Sequence, residues 1–134
     1  MKETLAFWED VKAGKYEVII SEVVTQEVSN CPEPKRSKML TAIEEIQHTV
    51  IYLTDEIEDL ADEIVRRKIL TAKSLDDCFH IATAITEGCD MIVSWNFKHI
   101  VNRKTMQGVK EVTISSNYRS VEIYAPPMLT SKED

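Results

Sequence analysis

The chain has 134 residues, 43% of them hydrophobic, enough for one compact domain with a real core. No apolar run approaches the length of a membrane span, and the start MKETLAFWEDVKAGK lacks a signal-peptide pattern, so the expectation is a soluble, cytoplasmic protein. The formal net charge of −7 weighs against a chain that grips phosphates over its whole surface, while leaving room for one local basic edge. Cys31, Cys78 and Cys89 are odd in number and unpaired in spacing. They read as reduced thiols and not as a disulfide framework or a C-x-x-C metal site. There is no low-complexity stretch and no internal repeat.

In chain order, Leu5, Phe7, Trp8 and Val11 give residues 4–14 an apolar helical stripe that ends at Gly14. YEVIIS (16–21) is rich in β-branched residues and reads as a strand. Ser21 then caps a helix over 22–29 that carries Glu22 and Glu27. NCPEPKR breaks the chain, and Pro34 suits the first position of a helix to about Gln47. TVIYL (49–53) is a second strand. Thr54, with Asp55 and Glu56 behind it, opens a helix to about Lys68 that is acidic at its start and basic at its end, as the helix dipole favours. A helix over 75–88 ends at Gly88, and the strand MIVSW (91–95) follows. Another helix covers much of 100–117, and VEIYAPP (121–127) is an edge strand stopped by two prolines. Short apolar strands alternating with helices predict a three-layer α/β/α domain around a mainly parallel central sheet, spanning 1–134.

Sites in open α/β sheets gather at the carboxyl ends of strands. Asn96 directly follows the strand 91–95; Glu27 lies on the helix after the first strand, and Asp77 on the helix before 91–95. These three are the candidate site residues. Asp77 also stands three residues after Ser74, the spacing of a capping box, so a cap and a chemical role are both open for it. Asp76 is expected to face solvent or to support the site from behind, and His80, one turn after Asp77, to be a hydrogen-bonded core residue or a support behind the site. His48 carries no stronger signal. Lys98, His99, Arg103 and Lys104 form a basic cluster past Asn96, either ordinary surface or a means of steering phosphates. Trp95 and Phe97 are better read as core than as stacking platforms.

DCFHIATA followed by DMIVSWNFKHIVN resembles the core of PIN domains, in particular the VapC-like subgroup of toxin–antitoxin toxins, and SEVVTQEV with PEPKR extends the likeness upstream. The resemblance implies an α/β fold and descent from Mg²⁺- or Mn²⁺-dependent endoribonucleases. It assigns metal ligation to Glu27 and Asp77, and the positioning of a water or phosphate to Asn96. RNA, an antitoxin protein and a second copy of the chain are the partners it implies, with no membrane. It also implies a departure: the family's leading strand, ending in Leu-Asp-Thr/Ser and carrying its central aspartate, has no counterpart ahead of FWEDV. The expectation is therefore an N-terminally truncated fold, weak or inactive as an enzyme. The alternative is a non-catalytic module that binds an antitoxin or itself.

Overall fold

The computed structural model describes residues 2–94 and 96–129, so the expectations for Trp95, and for the Leu5 side chain, lie outside the described residues. The fold is mixed α/β with short parallel strands. It divides into two compact units, one ending at Tyr52 and the other starting at Leu53.

The first unit runs α1 (Lys2–Lys12), β1 (Ile19–Ser21), α2 (Glu22–Ser29), α3 (Lys35–Glu44) and β2 (Thr49–Ile51). Gly14, at φ +82, ends α1 in the left-handed region that glycine enters without steric cost. The strands pair in parallel, Ile20 opposite Val50. Ser21 caps α2 as expected, its hydroxyl accepting from Val23 N–H at 3.2 Å, and Val23 and Val28 turn inward. Pro34, expected as the first helical residue, stands instead at the cap, and α3 begins one residue later at Lys35. YEVIIS forms a strand only over its last three residues, those opposite Thr49–Ile51, with the Val18 carbonyl accepting from Thr49 N–H at 3.0 Å at the ladder's edge.

The second unit runs α4 (Asp55–Arg66), a 3₁₀ turn (Ala72–Ser74), α5 (Leu75–Thr86), β3 (Met91–Val93), α6 (Arg103–Ser115), β4 (Glu122–Tyr124) and a 3₁₀ turn at Pro126–Met128. Thr54 caps α4, accepting from Ile57 N–H at 3.2 Å. Ile57, Leu60, Ala61 and Ile64 then fall on one side of α4, and that stripe is buried where α4 packs on α5. Ile81 and Ile85 of α5 are fully buried in the same core. Each such side chain contributes about 1.5–3 kcal/mol by leaving water. β3 and β4 pair in parallel, Ile92 opposite Ile123, and Arg119 ties the pair to the end of α5 through Asp90 and the Gly88 carbonyl.

Cys78 sits fully buried on α5. Burial first, and the adjacent Asp77 carboxylate second, push its thiol up from 9.0 to about 11. A folded-state value above the unfolded one means that this group's contribution is complete below about pH 9 and is lost as pH rises through about 11. Native protein at neutral pH is expected to yield Cys31 and Cys89, both half-exposed, to a thiol reagent while sparing Cys78 until denaturant is added. Equal labelling of all three thiols in the native state would contradict this burial.

Candidate active site

Within the second unit the structure brings Asp77 and Asn96 together. Asp77 lies half-buried in the first turn of α5, and Asn96 in the loop at the carboxyl end of β3. The Asn96 backbone N–H donates to Ser94 Oγ at 2.9 Å, and the Asn96 carbonyl accepts from Ile100 N–H at 2.9 Å and Val101 N–H at 2.8 Å. Its side-chain oxygen accepts from His99 N–H at 3.0 Å. A backbone N–H can only donate, so the atom facing it must be oxygen, and the amide NH₂ is turned the other way. There Nδ2 lies 3.4 Å and 3.5 Å from the two Asp77 carboxylate oxygens. These distances are long for N–H···O bonds, so the pair is a loose electrostatic contact.

The capping box expected at Ser74 and Asp77 does not form. Ser74 ends a 3₁₀ turn, its N–H donating to the Thr71 carbonyl, with φ −106 and ψ 36, away from the extended backbone that aims a cap hydroxyl into the helix. Its Oγ lies 3.4 Å from His99 Nδ1 instead. Asp77 is thereby free of a capping duty. Asp76 is exposed, as expected. Phe97 departs from expectation: it is 50% exposed, because it sits in the turn after β3 and not between helix and sheet. Lys98, Arg103 and Lys104 are exposed around that turn, while the His99 imidazole is drawn toward Ser74.

Glu27 lies on α2 of the first unit, where it is exposed. His48, in the same unit, has Nδ1 3.0 Å from the Ile46 carbonyl. Among the described residues no group of three or more His, Cys, Asp or Glu side chains gathers to hold a metal. Asp77 does offer hard oxygen donors, the type a divalent cation such as Mg²⁺ selects while keeping several of its waters and using one or two carboxylates. The donor chemistry fits such an ion. The Asn96 oxygen, engaged by His99 N–H, leaves the NH₂ as the group this side chain presents beside the carboxylate.

Sequence reasoning missed the residues around this pair: Ser94, the His99 N–H and Asn102. One signal was legible, since an asparagine three residues before Thr105 at a helix start is an N-cap pattern, and Asn102 Oδ1 does accept from Thr105 N–H at 2.8 Å. Among known families, residues 2–98 match the PIN domain. No curated protein and no solved structure matches the chain.

Proposed function

The chain belongs to the PIN-domain family, and from that premise we propose that it is of the VapC-like toxin kind, descended from endoribonucleases that use Mg²⁺ or Mn²⁺. PIN domains are generally nuclease domains; they typically bind divalent metals and commonly bind RNA. The match runs across residues 52 and 53, which favours both units being parts of one domain over 1–134.

The observation that carries the proposal is the Asp77–Asn96 pair at the carboxyl end of a parallel strand. Asp77 would supply carboxylate oxygens for such an ion; the assignment of Glu27 as a further ligand rests on the family resemblance alone. A bound divalent ion would supply a water of lowered proton affinity and neutralise charge on the phosphate under attack. The Asn96 NH₂ orients the Asp77 carboxylate and donates toward a water or phosphate oxygen. Residues 1–134 hold two of the carboxylates that the resemblance assigns to the metal, so turnover of RNA phosphodiesters is weak or absent with these alone. No helix of the described residues is long and apolar enough to cross a membrane, and no disulfide joins Cys31, Cys78 or Cys89. Both are in keeping with a cytoplasmic site of action.

A calorimetric titration with Mn²⁺ tests this. Wild type is expected to bind, and Asp77→Ala to lose binding; a wild type that takes up no Mn²⁺ sinks the proposal. A second reading is a non-catalytic module that pairs with an antitoxin-like peptide or with itself. It is favoured by β3, which has one strand neighbour, β4, among the described residues and so an edge open to strand addition. A monomeric mass in solution, together with failure to bind extended peptides, counts against it.

A further inference from the structure

We infer that Asn102 and Thr105, at the start of α6, are positioning residues that hold the Asn96 amide in register with Asp77. The function this serves rests on the reading of Asp77 and Asn96 given above; the geometry itself does not.

The loop between β3 and α6 would ordinarily be among the more mobile parts of a domain. Here every carbonyl from residue 96 to residue 100 has a donor. Asn96 takes Ile100 and Val101 N–H. Asn102 Nδ2 donates to the Phe97 carbonyl at 3.2 Å and to the Lys98 carbonyl at 3.1 Å. Thr105 Oγ1, on a residue only 1% exposed, donates to the His99 carbonyl at 2.6 Å. Asn102 N–H closes on the Ile100 carbonyl at 3.1 Å. Loop backbone so fully satisfied has few alternative conformations to visit.

The consequence runs back along the turn. Asn102 and Thr105 fix the carbonyls of 97, 98 and 99, which fixes the direction of the His99 N–H. That N–H selects which face of the Asn96 amide is oxygen, and so presents NH₂ to Asp77. Asn102 has two separable duties. Its Oδ1 caps α6 through Thr105 N–H, while its Nδ2 braces the turn. Serine caps a helix about as well as asparagine but has no second donor to give.

Asn102→Ser is therefore the test, read by NMR on the Asn96 side-chain NH₂. The sequence has only four asparagines, and Asn96→Ala identifies the resonances by their loss. Retained helix stability, with the Asn96 NH₂ shifted toward free-amide positions, is the expected result. If Asn102→Ser does not fold, Thr105→Val takes its place: it keeps the volume and loses only the bond to His99, and Thr105→Ser should restore the wild-type spectrum. Asn96 resonances unmoved in the folded variant overturn the inference. With Mn²⁺ present, a drop in affinity of roughly tenfold is expected, in the range seen when partners behind a metal ligand are removed. A wild type that binds no Mn²⁺ would sink the proposed function alone, since the metal-free spectrum still decides the positioning role.

Discussion

Asn96→Asp is expected to tighten Mn²⁺ binding about tenfold or more while weakening the metal-free protein. The substituted side chain keeps one oxygen on the His99 N–H, so the geometry survives, but its other oxygen now faces the Asp77 carboxylate where an NH₂ stood 3.4 Å away. Two like charges at about 4 Å repel by roughly 4 kcal/mol at the effective dielectric of a protein surface. Both side chains are half-exposed, which lets solvent reduce that to about 1–2 kcal/mol. A divalent cation between them turns the repulsion into attraction for the ion. Urea unfolding with and without Mn²⁺, beside calorimetry, measures both halves. If the metal-free variant is as stable as wild type and its Mn²⁺ affinity is unchanged, the two side chains are not in contact.

Gly108→Val is expected to destabilise the protein by about 3 kcal/mol, the upper part of the range for overpacking. Gly108 lies inside α6, where replacing glycine by alanine usually stabilises by about 1 kcal/mol. Here even a Cβ would stand 2.6 Å from Ile69 Cγ1 and 2.8 Å from its Cγ2. Those atoms lie near the stiff, β-branched root of a buried side chain and have little room to give. Gly108→Ala therefore also destabilises, against the usual sign for a helix interior, and valine does so more severely. Urea denaturation of both variants, repeated in an Ile69→Ala background, provides the check. A penalty that persists without the Ile69 side chain would mean that the contact is not its cause.

The sequence revealed element types well because periodicity and caps are local. Ser21 and Thr54 stand before helices whose apolar stripes are readable, and both cap as expected. Strand lengths were less legible: YEVIIS looks longer than the three residues that find a ladder partner, since pairing depends on a distant segment. At the site, Asp77 and Asn96 were found through motif order. What joins them was hidden, because the orientation of an amide is set by one backbone N–H three residues further on, which no spacing rule encodes. Ser74 shows the reverse case, a spacing that promised a cap and a preceding 3₁₀ turn that withdrew it.

The placement of α6 also changes what the net charge of −7 means. The C-terminal side of α6 meets α4, with Tyr118 donating to Glu56 at 2.6 Å and Arg67 to Ser115 at 2.7 Å. Glu56 and Arg67 thus both lie on that side, and Arg103 and Lys104 open the other end with Lys98 beyond them. Thirteen helical residues separate the two ends by about 20 Å. The Debye length in physiological salt is about 8 Å, so neither end feels much of the other's field. A polyanion arriving at Lys98 meets Lys98, Arg103 and Lys104 with the Asp77 carboxylate close behind Asn96, so these near charges, more than the chain's total, set what it feels.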